Sequence, residues 1–308
     1  MAAEQNLIKK ADLARVREIE FTEMFSESIK KLVEALGITR KISKQAGTAL
    51  KTYKAKGTLE SGAVAEGETI PLSKYTTIPV TYKEITLKKW RKATSAEAII
   101  DRGYDQAVEM TTDRMLKDVQ KGIRADFFAF LADAGADKTD DSEGSVTGTP
   151  SKHYTTGTVV SAGTGLQAAL AKAWGKLQVL FEDDEIAAVY FVNPMDIAGY
   201  LATAQISTQT AFGMSYVENF LGLGTVFMNS SVPAGTVYAT AKDNIVLYYV
   251  PVNGADLSEA FSFTSDATGY IGIHEQPDYT NMTSSDTVVN GMELFAERAD
   301  GIVVATFS

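Results

Sequence analysis

The pattern most suggestive of ligand chemistry is a pair of glycines in the stretch VVSAGTGLQAAL. Gly163, Gly165 and Ala168 have the spacing G-x-G-x-x-A, follow a strand-like run and precede a helical pattern. In dinucleotide-binding folds, such a turn lets backbone amides approach a pyrophosphate at a helix N-terminus. The next predicted strand, AAVYFVN, ends in Asn193, where ribose binding requires an acidic residue. A glycine-rich strand-to-helix turn is therefore favoured, and a nucleotide-dependent oxidoreductase would depend on these two glycines alone.

Other residues with metal-binding or catalytic chemistry are few and scattered. The stretch DKTDDSEG has the composition of a calcium loop, but with Gly144 at the turn position the last ligand position falls on Pro150. The acidic run 182–185 has no nearby histidine, and a solvated or subunit-contact loop explains it better than a metal site. His153 and His274 lie in different regions, and neither accompanies a nucleophile motif. We therefore expect no catalytic residue, no metal site and no cofactor.

Composition and charge exclude several functional classes. The 308 residues are 45% hydrophobic and 22% charged, which predicts one or two packed domains. The net charge of −10 disfavours a dedicated nucleic-acid binder, because phosphate binding needs clustered Lys and Arg. The absence of Cys excludes disulfides and thiolate catalysis. The N-terminal MAAEQNLIKKADL lacks the apolar segment of a signal peptide, and no apolar run could span a bilayer, so we expect a soluble, unexported protein.

The charge is unevenly distributed along the chain. Residues 1–130 contain 23 Lys and Arg against 18 Asp and Glu, a balance of +5, whereas residues 131–308 contain 6 against 21, a balance of −15. Two differently solvated surfaces would explain this split. So would contact between the basic half of one copy and the acidic half of another, because complementary potentials guide association.

Helical periodicity is strongest in one long stretch. We expect a spine helix over 95–134, with a capping box formed by Thr94 and Glu97 and a length of about 60 Å. Its apolar stripe comprises Ile100, Tyr104, Val108, Thr111, Met115, Val119, Ile123, Phe127 and Leu131. An earlier helix is predicted from the apolar spacing of Phe21, Met24, Phe25, Ile29, Leu32, Val33 and Leu36. Charged, weakly periodic residues precede that helix and indicate an arm.

A long hairpin is predicted between these two helices. Residues 49–56 and 77–90 alternate as strands, and a change of apolar parity after Tyr82 indicates a β-bulge near Glu84. The intervening GTLESGAVAEGETIPLSK has little apolar material to pack on its own subunit. Because a two-stranded ribbon alone is only marginally stable, this hairpin needs another surface to lie on.

The second half alternates helices and strands before it becomes rich in strands. We expect a helix with Leu166, Leu170, Ala173, Trp174, Leu177 and Phe181 on one face, then a buried strand in AAVYFVN. A third helix starts at Asn193-Pro194 and continues to Leu201, with Asn as the cap. Short strands dominate from Gly222 onward, so the fold class is α+β.

This order of elements resembles the major capsid protein of tailed bacteriophages, the Hong Kong 97 capsid fold. The stretch GTLESGAVAEGETIPLSKYTTIPVTYKEITLKKWRKATSAEAI resembles the E-loop leading into the spine helix of that family. GTVYATAKDNIVLYYVPVNG is similar to axial-domain strands of capsid proteins from phages of Gram-positive bacteria. MELFAERADGIVVATF is similar to the C-terminal stretch of the family.

The resemblance implies an HK97-like domain organisation. The N-terminal arm would be residues 1–44 and the E-loop 45–88. The peripheral domain would comprise 89–160 and 270–299, and the axial domain 161–269 and 300–308. E-loop residues in contact with a neighbouring subunit would be Lys56, Gly57, Gly62, Glu66, Gly67, Glu68, Pro71 and Lys74.

The implied function is structural rather than enzymatic. Hexamers and pentamers would close into an icosahedral shell around double-stranded DNA, contacted non-specifically, and the protein would be part of the virion. A separate scaffolding protein and a portal would be partners, a decoration protein would be a further candidate partner, and no membrane would be involved. Some members of the family form a Lys–Asn cross-link between subunits. The residues available for one here are Lys54, Lys56 and Lys74 with Asn281 and Asn290.

Two further classes remain open from the sequence alone. An encapsulin, a cellular nanocompartment that packages an enzyme, has the same fold, although the charged N-terminal segment favours the phage capsid. A phage tail or decoration protein would also be rich in strands, but it would not need the long spine helix.

Overall fold

The computed structural model describes residues 10–43, 49–58, 60–64, 69–84, 87–103, 107–108, 110–128, 131, 158–181, 186–203, 207–296 and 301–308. Within these ranges, no helix combines the length and apolar character needed to cross a membrane. The described helices are α1 (Lys10–Leu36), α2 (Ala96–Arg102), α3 (Met110–Phe127), α4 (Leu166–Leu180), α5 (Pro194–Thr203) and α6 (Ala255–Ala260).

The strands form four sheets in the described part of the chain. Those of the first half are β1 (Lys41–Ser43), β2 (Ala49–Thr58), β3 (Lys74–Glu84), β4 (Lys88–Ser95) and β5 (Thr158–Gly163). Those of the second half are β6 (Ala188–Val192), β7 (Gln209–Ala211), β8 (Met214–Phe220), β9 (Gly224–Met228), β10 (Thr236–Ala241), β11 (Ile245–Tyr249), β12 (Ile271–Asp278), β13 (Thr283–Asn290), β14 (Met292–Ala296) and β15 (Ile302–Phe307).

A seven-stranded mixed sheet, ordered β5-β15-β10-β6-β9-β8-β7, separates two hydrophobic layers. Every residue of β6 is buried, because its alternate side chains point into different layers. Val189 and Phe191 pack with residues of α1 and α3, whereas Ala188, Tyr190 and Val192 pack with residues of α4 and α5. The predicted buried strand AAVYFVN is therefore confirmed.

Helix α1 contributes to the core through most of the apolar residues whose spacing predicted a helix. Phe25, Ile29 and Leu36 are fully buried, and Phe25 makes an edge-to-face contact with Phe212, with ring centroids 5.6 Å apart. Complete burial of such a side chain is worth about 1.5–3 kcal/mol. Met24, which was expected on the buried face, is 55% exposed.

The expected single spine helix is interrupted. Helix α2 ends at Arg102, and Gly103 follows with φ 79° and ψ 154°, a backbone conformation that glycine adopts far more readily than other residues. Ile100, the first residue of the predicted apolar stripe, is 84% exposed and therefore does not lie on a buried face. The N-cap is Ser95, whose hydroxyl accepts a hydrogen bond from Ala98 N, and not Thr94.

The stripe is correct only in part over α3 and its neighbours, because Thr111 is exposed and Met115 is half-buried. Val108, Val119, Ile123 and Leu131 are each at most 2% exposed, and the last three belong to the core that includes α1. Helical periodicity thus identified the buried face, but it could not reveal the interruption at Gly103.

Helices α4 and α5 agree closely with the sequence. Leu166, Leu170 and Leu177 are buried, whereas Trp174 remains 39% exposed at the edge of that face. Helix α5 starts at Pro194, and Asn193 Oδ1 accepts a hydrogen bond from Met195 N at 3.0 Å. The predicted Asn-Pro start is confirmed.

Two three-stranded sheets complete the fold, ordered β12-β13-β4 and β1-β11-β14. The first is antiparallel and joins the strand after the hairpin, β4, to the strands near the C-terminus. Helix α1 packs against β12 and helix α2 against β4. The predicted domain boundaries stay a prediction.

Candidate inter-subunit surface

The predicted hairpin is a two-stranded antiparallel ribbon of β2 and β3. Its register runs from Thr58 opposite Lys74 down to Lys51 opposite Thr81. Ala49 then pairs with Glu84, so β3 has one more residue than β2 in this interval. This extra residue is the bulge expected near Glu84.

The part of the ribbon near its tip exposes apolar side chains. Ile70 is 73% exposed, Leu72 94% and Tyr75 58%. One hydrogen bond crosses this region, from Glu60 N to Ser73 Oγ at 3.0 Å. Gly62 has open space around it, since a Cβ placed there would have no neighbour within 4 Å. Three large apolar side chains close together in sequence therefore face solvent in the isolated subunit.

The structure places five of the eight predicted contact residues. Lys56 and Gly57 lie in β2, and Lys74 is the first residue of β3. Gly62 and Pro71 lie in the exposed segments between the strands. The other three, Glu66, Gly67 and Glu68, lie outside the described residues. The role of all eight in subunit contacts stays a prediction.

The ribbon's register also determines which backbone positions share a face. Positions 54, 56 and 58 of β2 pair with positions 78, 76 and 74 of β3, so these six positions lie on one side of the ribbon. Three of them are lysines, Lys54, Lys56 and Lys74. The sequence shows this clustering only once the register is known.

Where the chain leaves the ribbon, a buried ion pair anchors β4. Lys92 Nζ lies 2.9 Å from Asp286 Oδ2 of β13, and the two side chains are 18% and 7% exposed. Lys92 also donates to the hydroxyls of Thr111 and Thr112 at 2.8 and 2.9 Å, at the start of α3. One lysine thus joins β4, β13 and the start of α3.

A second polar cluster attaches α1 to β12. Glu18 is 8% exposed and accepts hydrogen bonds at 2.5 Å from Glu275 N and from Thr264 Oγ1. Arg17 forms a salt bridge with the Glu275 carboxylate. His274 Nδ1 lies 3.8 Å from Glu18 Oε1. Sequence reasoning identified neither cluster, because their members are up to 258 residues apart.

A groove of about 490 Å³ opens where α1 ends. Its walls are Glu34, Ala35, Ile186, Ala187, Ala188, Glu218, Asn219, Gly222, Leu223, Gly224, Thr225 and Lys242. Burial, and then the charges of Glu218 and Glu34, raise the pKa of Tyr216. The two carboxylates therefore impose a negative potential beside the groove, which no sequence motif had indicated.

The glycine turn at Gly163 and Gly165 is a strand-to-helix connection between β5 and α4. Ser308 N donates to Gly163 O at 3.1 Å, and Gly165 N donates to Ser308 O at 3.3 Å. A backbone amide that a dinucleotide phosphate would approach is thus already hydrogen-bonded to the chain itself.

The remaining chemical candidates are only partly described. Asn290 is fully buried, donates to Tyr270 O at 2.9 Å and accepts from Met292 N, so it is not accessible for a cross-link between subunits. Asn281 is exposed and accepts from the Thr283 hydroxyl. His153 and the acidic stretches 137–144 and 182–185 lie outside the described residues. In the described part of the chain, no three His, Asp or Glu side chains are grouped as metal ligands.

No family model matches the chain, and no curated protein matches it. Several solved structures, in contrast, are similar to the chain. The capsid asymmetric unit of cyanophage A-1(L) is similar with a TM-score of 0.58 and 13% identity, covering 99% of this chain and 94% of that one. The capsid of a native GTA particle is similar with a TM-score of 0.55 and 13% identity, covering 100% and 94%. The SrpI encapsulin of Synechococcus elongatus PCC 7942 is similar with a TM-score of 0.50 and 11% identity, covering 87% and 84%.

At 11–13% identity these similarities establish the fold. Two capsid structures match nearly the whole chain, from α1 through the ribbon to β15. The chain has the HK97-like capsid fold, and the α+β class predicted from its sequence is confirmed.

Proposed function

We propose that this chain is the major capsid protein of a tailed bacteriophage, which assembles into hexamers and pentamers of an icosahedral shell enclosing double-stranded DNA. The single observation that supports this most is the capsid fold over 99–100% of the chain. The sequence predicts an arm, a long hairpin, a long helix and a strand-rich end in that order, and this order supports the same function.

The exposed ribbon gives the proposal a physical basis. Ile70, Leu72 and Tyr75 lose contact with water only if another surface covers them. In a closed shell, the ribbon of each subunit would contact one neighbour, and each subunit would also be contacted by the ribbon of another neighbour. Many modest contacts of this kind add up to a stable assembly. In this proposal, the predicted E-loop residues from Lys56 to Lys74 form those contacts.

The proposed role requires no catalysis by the chain. Its partners would be further copies of itself, a scaffolding protein, a portal and packaged DNA, and its location would be the virion. The net charge of −10 is compatible with an enclosing shell, because a lumen that bound phosphates tightly would hinder DNA filling.

An encapsulin is the second candidate. The SrpI encapsulin has the same fold, and that match supports a shell-forming function in either case. The phage capsid is favoured because the cyanophage capsid covers 99% of the chain with the higher TM-score.

Negative-stain electron microscopy tests the proposal. The protein is expressed alone and then with candidate scaffolding proteins, and the contents of any particles are analysed. Closed or aberrant shells containing DNA, or empty shells without a cargo protein, are the expected result. Shells that co-purify with a cargo enzyme would favour the encapsulin. A uniform small particle under every condition would overturn both.

A further inference from the structure

Three charged side chains from neighbouring strands lie in one row across the sheet β12-β13-β4. Lys92 of β4 is directly opposite Asp286 of β13, and Asp286 is directly opposite Glu275 of β12. Residues paired in this way project from the same face of a sheet. The row is largely enclosed, since the side chains of Lys92, Asp286 and Glu275 are 18%, 7% and 8% exposed. One lysine and two carboxylates are thus held side by side inside the subunit.

Several contacts fix the Lys92 ammonium against the Asp286 carboxylate. Lys92 Nζ lies 2.9 Å from Asp286 Oδ2 and donates to the hydroxyls of Thr111 and Thr112 at 2.8 and 2.9 Å. The Thr112 hydroxyl is itself a donor to Asp286 Oδ2 at 3.3 Å. Thr112 therefore contacts both groups, and its hydroxyl can accept a proton from the nitrogen while it donates its own proton to the oxygen.

A small cavity lies beside the Asp286 carboxylate. Its volume is about 10 Å³, and its lining residues are Arg17, Glu18, Thr112, Ile273, Glu275 and Asp286. A volume of this size accommodates about one water molecule, and the polar lining offers hydrogen-bond partners for it. The site therefore has room for the water that a condensation at Asp286 releases.

We propose that Lys92 and Asp286 condense to an amide, an isopeptide bond within the subunit that joins β4 to β13. The bond lies within one chain and uses none of the residues that the sequence offers for a cross-link between subunits. The inference goes beyond the proposed shell function and applies to the isolated subunit.

The reaction needs no oxidant, reductant or other co-reactant. One proton passes from the Lys92 ammonium to Asp286 Oδ2, which leaves a neutral amine and a carboxylic acid. The nitrogen lone pair then forms the Nζ–Cγ bond, and the Thr112 hydroxyl relays a second proton from the nitrogen to the same oxygen. The Cγ–Oδ2 bond breaks, and that oxygen leaves as water with both protons. The third proton stays on the amide nitrogen, so charge and atoms balance.

Two features of the fold favour the amide over the ion pair. Groups held in reacting geometry behave as if each were present at an effective concentration of about 10⁵–10⁸ M. Lys92 Nζ is already at hydrogen-bonding distance from the oxygen bonded to Asp286 Cγ. Two buried charges also carry a desolvation penalty, and their conversion to a neutral amide removes it. The product fixes the strand that follows the ribbon covalently to a strand near the C-terminus.

Mass spectrometry of the purified, denatured subunit tests the proposal. The chain should be lighter than its sequence mass by one water, and a tryptic digest should contain a branched peptide that joins Lys92 to Asp286. Lys92→Arg is the matched control, because arginine keeps the positive charge but its guanidinium does not form this amide. Lys89→Arg, at an exposed position of the same strand, should still lose the water. Circular dichroism checks that each variant is folded.

Thr112→Val tests the proton relay. Valine resembles threonine in shape but has no hydroxyl, so the bond should form about 100-fold more slowly while the Lys92–Asp286 pair remains in place. The rate is measured as the growth of the lighter species after refolding of the subunit. A rate equal to that of the wild type would overturn the role of Thr112.

Two results would overturn the inference as a whole. One is a wild-type chain that keeps its full sequence mass after prolonged incubation in the folded state. The other is a Lys92→Arg chain that loses the same mass, because the water would then come from another site. Since the measurement uses the isolated subunit, its outcome is independent of whether the protein forms shells.

Discussion

Lys92 Nζ lies 2.9 Å from Asp286 Oδ2, and this pair joins the strand that leaves the ribbon to a strand near the C-terminus. The Asp286 carboxylate also accepts a hydrogen bond from the Thr112 hydroxyl at 3.3 Å. The strand that follows the ribbon is therefore fixed to the body of the subunit by a largely buried ion pair, whereas Ile70 and Leu72 of the ribbon segment before β3 are exposed.

Loss of the Lys92 ammonium should be strongly destabilising. Lys92→Met leaves the buried Asp286 carboxylate without its cation, and we expect the free energy of unfolding to fall by about 3 kcal/mol. Lys89→Met is the matched control, because Lys89 lies on the same strand but is exposed. Lys89→Met should change the free energy of unfolding by less than about 0.5 kcal/mol. Urea denaturation of both variants measures the difference, and equal losses would contradict the role of the pair.

Two glycines near the β8–β9 turn should respond very differently to alanine. A Cβ at Gly224, where φ is 148°, would lie 2.2 Å from Ala188 O on the neighbouring strand, so the strands must separate. At Gly222, with φ 74°, a Cβ would meet open space, and only the backbone conformation is unfavourable. We expect Gly222→Ala to cost about 1 kcal/mol and Gly224→Ala about 3 kcal/mol or more. Thermal unfolding monitored by circular dichroism measures both losses of stability. A larger loss for Gly222→Ala than for Gly224→Ala would contradict this prediction.

The loss of stability at acid pH should include a contribution from Asp278, the last residue of β12. A hydrogen bond from Thr280 N, at 2.9 Å, is the main reason that the pKa of Asp278 lies below its ordinary value. A carboxyl with a lowered folded-state pKa stabilises the fold above its unfolded-state pKa. That contribution is lost as the pH falls through the folded-state pKa. NMR titration should give an Asp278 pKa below 3.8, and Asp278→Asn should flatten this part of the pH dependence. An NMR pKa at or above 3.8 would show that the Thr280 hydrogen bond does not stabilise the carboxylate.

The sequence predicted the elements whose signals are local. The apolar spacing of Leu166, Leu170 and Leu177 gave α4, and Asn193-Pro194 gave the start of α5. The parity change before Glu84 gave the bulge in the ribbon. Each of these signals depends on residues within a few positions of one another, which is why a single sequence contains them.

Features that depend on distant residues could not be predicted in this way. Ile100 fits a helical stripe in the sequence, yet it is 84% exposed in the short helix α2, which ends before Gly103. Glu18 is an ordinary charged residue of a helix until β12 brings Glu275 N within hydrogen-bonding distance. The groove likewise exists only because the fold brings Glu34 of α1 and Glu218 of β8, which are far apart in sequence, to the same walls.

The ribbon tip should be dispensable for folding but necessary for assembly. Ile70→Ser/Leu72→Ser removes two side chains that are 73% and 94% exposed, so the free energy of unfolding of the isolated subunit should change by less than about 0.5 kcal/mol. Deletion of residues 59–72 should likewise leave a folded subunit. Both variants should fail to form stable shells, because the apolar surface meant for the neighbour is gone. Val179→Ser, at a comparably exposed position of α4, is the control and should assemble normally. Intact particles from the deletion variant, seen by electron microscopy, would show that the ribbon does not hold the subunits together.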